Sequence, residues 1–242
     1  MTRPVLYVLA GVNGAGKSSV GGHLLERDGL TWFNPDTFAR ELKASTGCDQ
    51  ETANAYAWQE GMRRLEGAIA KGLNHAFETT LGGKSVTAKI LEAAKTHDVL
   101  IWFCGLSSPE LHIARVKARV AAGGHPIPEE KIRERYPNAQ LNLIKLMPHV
   151  AYIKVYDNSV EAAADGTVPD PVLVLEMENG QVISPAPDDL KALQRAPEWS
   201  KSILEAALRA GRPATDRMQG GEGSLRIARR DRRVGSSHRF PC

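Results

Sequence analysis

Cysteine is scarce in this chain. Cys48, Cys104 and Cys242 are its three cysteines in 242 residues, widely spaced and without a C-x-x-C pair. Neither a disulfide framework nor a structural zinc site therefore organises it. Cys104 lies in an apolar run and reads as a small buried hydrophobe. Long hydrophobic runs are missing too. The longest, Val99–Leu106, has the length of a strand, far short of the ~20 residues that cross a bilayer, so no membrane partner is expected. Met1 leads almost at once into Val5–Ala10 and then a glycine loop, which leaves no room for a signal peptide. With the cysteine usage, this points to a cytoplasmic protein.

A charge excess is also absent from most of the chain. The formal net charge is +3, but residues 211–242 carry eight Arg against three acidic residues. The first 210 residues hold 23 basic and 25 acidic side chains. The basicity thus belongs to a Gly-, Ser- and Arg-rich tail that reads as disordered. Arg229, Arg230, Arg232 and Arg233 have no aromatics between them, so the tail reads as solvated and nucleic acid is not the expected partner.

What is present is an alternation of strands and helices. Val5–Ala10 is a continuous apolar run, as a buried parallel strand requires. Ser18–Arg27 reads as a helix, Thr31–Asn34 as a short strand, and Pro35 with Asp36 opens another helix. Helical stretches follow at Thr52–Lys71, Ser85–Thr96, Pro109–Ala121, Glu129–Tyr136, Ala139–Met147 and about Trp199–Arg209, with strands at His75–Thr79, Val99–Leu106 and Ala151–Tyr156. Val172–Glu176 and Gln181–Ser184 flank Asn179-Gly180, a hairpin signal. The pattern predicts an α/β fold of the P-loop NTPase or kinase-like kind. It has a parallel sheet flanked by helices, a helical arginine lid, a C-terminal β-hairpin at the edge and a disordered tail. We expect one domain over residues 1–210, with the lid at about 115–136, and the tail over 211–242.

The segment Gly11-Val12-Asn13-Gly14-Ala15-Gly16-Lys17-Ser18 fits G-x-x-x-x-G-K-[ST] between a strand and a helix. Glycines let successive N–H groups turn toward phosphate oxygens. Lys17 is expected to reach the β- and γ-phosphates, Ser18 to ligate Mg²⁺, and Ser19 to extend the nucleotide site. ATP with Mg²⁺ is the expected cofactor pair. Motor ATPases commonly place a carboxylate at the end of a later strand. Here Val99–Leu106 ends in Cys104-Gly105-Leu106, and the acid, Glu78, ends His75–Thr79 instead. That favours a compact phosphotransferase.

Phosphoryl transfer needs a proton acceptor and cations around the moving group. Asp36 stands where strand ends line a crevice and reads either as that acceptor or as a helix N-cap. Glu78, followed by Thr79 and Thr80, can hold Mg²⁺ through water, grip a substrate hydroxyl, or be a solvated strand end. Arg115, Lys117, Arg119, Arg133 and Arg135 flank the Gly/Pro loop at 122–128. Arg119 and one of Arg133 and Arg135 are the candidates for phosphate, and the others read as surface. His125 has no partner at metal spacing and reads as a loop-packing or substrate-rim residue.

Taken in order, Gly11–Ser18, Asn34-Pro-Asp36, Phe77-Glu-Thr-Thr80 and Arg115-Val-Lys-Ala-Arg119-Val-x-x-Gly-Gly-His125-x-Ile-Pro128-x-x-x-Ile-Arg133-x-Arg135-Tyr136 resemble the zeta toxin family. The resemblance spans roughly residues 1–160. It implies a kinase-like fold and transfer from ATP to a 3′-hydroxyl of UDP-N-acetylglucosamine, with a small antitoxin protein as a partner. By motif position it implies Asp36 as general base, Lys17 and Ser18 as nucleotide and Mg²⁺ residues, and Glu78 at the substrate. Arg119, with Arg133 or Arg135, matches the phosphate arginines. Two other expectations stand beside it: a kinase for another small molecule or a nucleic-acid end, and a nucleotide-dependent regulatory module with little catalysis.

Overall fold

The computed structural model describes residues 2–18, 21, 32–160 and 169–210. Six strands form one sheet in the order β2-β1-β3-β4-β5-β6. β1 (Val5–Ala10) lies between β2 (His75–Thr79) and β3 (Asp98–Gly105), parallel to both, and β3 pairs in parallel with β4 (Tyr152–Asp157). β5 (Val172–Glu178) and β6 (Gln181–Ser184) close the sheet as the antiparallel edge hairpin that Asn179-Gly180 predicts. Both turn residues have positive φ, 50° at Asn179 and 78° at Gly180, the requirement of a tight primed turn. Because β2 and β3 flank β1 on opposite sides, the chain reverses direction across the sheet at β1. A crevice therefore opens at the carboxyl end of that strand.

The helices are α1 (Pro35–Thr46), α2 (Gln50–Lys71), α3 (Lys84–Ala93), α4 (Pro109–Ala121), α5 (Glu129–Leu146), α6 (Leu190–Arg195) and α7 (Lys201–Ala210). Their starts follow local chemistry. Asn34, Asp49, Ser108 and Asp189 each accept backbone N–H groups of the first turn. Leu6, Val8, Ile101, Phe103, Ile153 and Val155 face one main core with Leu65, Ile90, Leu143 and Ile203 from the helices. Tyr7, Ala76, Leu100 and Tyr152 form a smaller cluster on the opposite face.

Three expectations change. The strand at Thr31–Asn34 shrinks to one parallel bridge, Phe33 to Phe77, because Asn34 already caps α1 and Pro35 starts it; Thr31 lies outside the described residues. The two helices predicted around Pro137 are one, α5. Proline removes a helix hydrogen bond, but Ile132, Ala139, Leu143 and Leu146 form a continuous buried stripe that holds both halves on the core. α6 was not legible from periodicity; it is a short helix with no buried residue. The helix expected at Ser18–Arg27 falls largely outside the described residues, as do Ser19 and the tail at 211–242.

The missing acid at the end of β3 has a packing reason. A Cβ on Gly105 would meet the Trp199 ring at 2.1 Å. The indole lies across the strand end and donates from Nε1 to Asp157 at 3.1 Å.

Candidate active site

The glycine loop leaves β1 at Gly11, whose N–H is held by Thr79 O at 3.1 Å. Gly16 has φ of 80°, and a Cβ there would strike Asn158 Nδ2 at 2.4 Å. That same amide donates to Ala15 O at 2.9 Å, so β4 supports the loop only where no side chain intervenes. From the other side His112 Nδ1 donates to Asn13 O at 2.9 Å. Burial pushes the His112 pKa down to about 4, so the imidazole is a neutral strut at physiological pH. Sequence reasoning missed both supports. His112 and Asn158 lie 99 and 143 residues from the groups they hold, and no spacing signals such a contact.

Glu78 is the hub of the site. Lys17 Nζ lies 3.3 Å from Oε1, and Oε2 accepts from Ser18 Oγ at 3.1 Å and Asn34 Nδ2 at 2.9 Å. Both ionised side chains are over 90% shielded from solvent. A buried pair of this kind needs such extra hydrogen bonds to be tolerated. Asn34 therefore does two tasks: its Oδ1 caps α1 by accepting from Asp36 N and Thr37 N, and its amide holds Glu78. Of the two readings of Asp36, the cap is excluded. The cap is Asn34, and the Asp36 carboxylate is free to face the crevice.

Two lid residues converge on Asp36. Arg119 Nη1 lies 3.7 Å from Oδ2 and His125 Nε2 lies 3.8 Å from Oδ1. Arg119 also donates to His125 O at 3.3 Å, and its buried Nε has no hydrogen-bond partner among the described residues. Burial lowers the His125 pKa, so the ring meets Asp36 in its neutral form at neutral pH. Arg135 donates to Asn13 Oδ1 at 2.7 Å. Arg115 donates to Val160 O, and Lys117 pairs with Glu129.

Arg133 requires a correction. It pairs with Glu110 at 2.6 Å on the exposed side of the lid and lines neither cavity of the crevice. One helical residue separates it from neither partner but turns it some 200° from Arg135, so only one of the two can face inward.

The crevice holds two cavities that share Asn13, Lys17, Asn34, Asp36, Glu78 and His125 as a common wall. The larger, about 820 Å³, is bounded by Gly14, Gly16, Ser18 and by Arg40, Lys43, Arg115 and Arg119. The smaller, about 450 Å³, runs between α2 and β2, over Phe33, Trp58, Met62, Phe77 and Val86, with Thr79, Thr80 and Arg135 at its polar end. Thr79 Oγ1 accepts from Leu81 N and Thr80 Oγ1 from Gly82 N, which shapes the bend after β2.

The donor set suits a triphosphate and Mg²⁺. The larger cavity is cation-rich, and Lys17 stands at its floor. The Ser18 hydroxyl and Glu78 carboxylate are hard oxygen donors, and Mg²⁺ is held by one or two such groups together with substrate phosphates. Among the described residues no cluster of three or more His, Cys, Asp or Glu is placed to hold a metal alone. Cys104 is not a candidate nucleophile, since burial pushes its pKa up to about 12.

An uncharacterized protein of Haemophilus influenzae is 26% identical over 145 residues, which is 56% of this chain and the whole of that protein. Among solved structures, AvrRxo1-ORF1:-ORF2 with ATP matches with a TM-score of 0.59 at 15% identity, over 90% of this chain and 67% of that one. The native complex of the same proteins gives 0.56 at 16% identity, over 86% and 71%. These likenesses agree with the fold described above, a sheet flanked by helices around a phosphate loop. The family model described as an AAA domain, AAA_33, matches residues 6–138, more than half of the chain, and the protein belongs to that family.

Proposed function

We propose that the protein is an ATP-dependent phosphotransferase that moves the γ-phosphoryl group to a hydroxyl of a small acceptor. The observation that carries this reading is the shared wall: a phosphate loop lysine and an aspartate not used as a cap stand between a cation-rich cavity and one with an apolar wall. ATP is the donor substrate on the cation-rich side. The acceptor lies on the apolar side, with its hydroxyl beside Asp36.

Asp36 takes the hydroxyl proton as the acceptor oxygen bonds to the γ-phosphorus and the bond to the β,γ-bridging oxygen breaks, leaving ADP. Lys17 and Arg119 hold charge on the transferring group. His125, neutral and against Asp36, keeps the carboxylate oriented without neutralising it. Ser18 and Glu78 would hold Mg²⁺, which would supply charge neutralisation at the phosphates. Cytoplasmic ATP and a single compact P-loop domain over 1–210 fit this reading.

UDP-N-acetylglucosamine, the acceptor implied by the zeta toxin resemblance, is the first to test. A protein that binds ATP should yield phosphorylated UDP-N-acetylglucosamine by mass spectrometry. ATP binding without product would remove that acceptor. A product from another hydroxyl compound would keep the phosphotransferase reading. The same resemblance, and a fold shared with a two-protein complex, support a small protein partner. Co-expression with the product of an adjacent reading frame, followed by size-exclusion chromatography, tests it.

A further inference from the structure

Arg135 stands apart from the other cations of the crevice. It lines the smaller, acceptor-side cavity and not the larger one. Its stem lies on Gly82, where a Cβ would come within 2.6 Å of the arginine Cγ. The turn after β2 is therefore built to admit this side chain. The two ammonium groups of the cavity are matched: Lys17 with Glu78 at 3.3 Å, and Lys131 with Glu134 at 3.2 Å. Arg135 has a neutral partner instead, the Asn13 amide oxygen at 2.7 Å, and among the described residues no carboxylate stands within ion-pair distance. Burial lowers its pKa, yet a guanidinium remains charged at any physiological pH. It offers five N–H donors in a fork, of which one is used here.

The carboxylates of Asp36 and Glu134 act on this half-buried cation only from beyond ion-pair distance, and a ligand anion on the fork offsets the remaining cost of its burial. We propose that Arg135 receives an anionic group of the acceptor. The acceptor is then a hydroxyl compound that also carries a carboxylate or phosphate, with its apolar body against Trp58, Met62 and Phe77. This rests on the phosphotransferase reading. It makes Arg135 a specificity-determining residue on the acceptor side, where the motif resemblance alone leaves it among the ATP-phosphate arginines.

The test is calorimetric binding to protein whose phosphate loop is filled with a non-hydrolysable ATP analogue. Three matched pairs differ only in the anion: mandelate and methyl mandelate, glycerate and methyl glycerate, glycerol phosphate and glycerol. The anion should bind about tenfold or more tightly than its neutral partner in at least one pair, as a charge-assisted fork predicts. The carboxylate and phosphate arms tell which anion is read.

Arg135→Gln should erase that preference. If Arg135→Gln does not fold, as judged by thermal melting, Arg135→Lys carries the test, because it keeps the charge and loses the fork. Its anion preference should fall several-fold. Equal affinities in all pairs, no anion binding at all, or a preference indifferent to both substitutions overturns the proposal. Phosphorylated product formed from neutral acceptors alone would overturn it too, while leaving the phosphotransferase reading intact.

Discussion

On one side of the shared wall, Lys17, Arg40, Lys43, Arg115 and Arg119 face only Asp36 and Glu78. On the other, Phe33, Trp58, Met62, Phe77 and Val86 form an apolar wall, and Arg135 donates to a neutral amide oxygen. The first cavity recognises its occupant by charge, through a loop contiguous in sequence and cations from two helices. The second has walls drawn from separate elements, α2, β2, α3 and the segment before α1. A triphosphate is common to many enzymes, so its site needs no individual pattern. An acceptor is particular to one, and the side chains that select it are scattered accordingly.

The difference can be broken most sharply at the wall itself. Asp36→Asn should lower turnover about 10²–10⁴-fold, the range for loss of a positioned general base, while calorimetry finds ATP affinity unchanged. If turnover survives, the two cavities are not joined through this carboxylate. Lys17→Met should cost about 10²–10³-fold in turnover and also weaken ATP binding, since Lys17 belongs to both sides.

The supports of the loop predict a pH effect. At pH 7 His112 is neutral in both the folded and the unfolded chain. As pH falls through about 6.5 the unfolded chain takes a proton, whereas the buried ring does not until about 4. Stability is therefore lost between those two values, by roughly 3 kcal/mol at most. Urea melts of the wild type and of His112→Gln across pH 7 to 4 should show a smaller loss in the variant. Equal slopes would mean that the ring titrates normally.

Smaller effects separate the two sides. Trp58→Ala should raise the acceptor KM about tenfold through lost apolar contact, with the ATP KM unmoved. Arg133→Ala should leave the melting temperature close to that of the wild type, since exposed ion pairs contribute little, and leave both KM values alone. A large effect of Arg133 on ATP would return it to the site from which the structure removes it.

Much of this was legible before any coordinates. The strand order could not be read, but the strands themselves could, because buried parallel strands are continuous apolar runs. The hairpin followed from Asn179-Gly180, whose backbone requirement is local. α5 was misread because proline is judged against its own turn, whereas the stripe from Ile132 to Leu146 acts over the whole helix. Lys17, Ser18, Asp36 and Glu78 were all named from spacing and strand ends, and they meet in one crevice. Asn34 was quoted within a motif but given no task, since its bond to Glu78 spans 44 residues.

By itself the sequence determined that a strand, a glycine loop and a lysine with a serine stand in succession, since the backbone geometry of such a loop is set by the residues it contains. It also narrowed the proton acceptor to Asp36 without deciding between that and a cap. Only the tertiary structure removed the cap from that pair: Asn34 caps the helix, and Asp36 lines the crevice. It also decided which lid arginine faces inward, which two histidines touch the site, and that Arg135 lines the smaller cavity. These are relations between side chains far apart in the chain. Packing, charge pairing and burial act through space, and the linear order does not carry them.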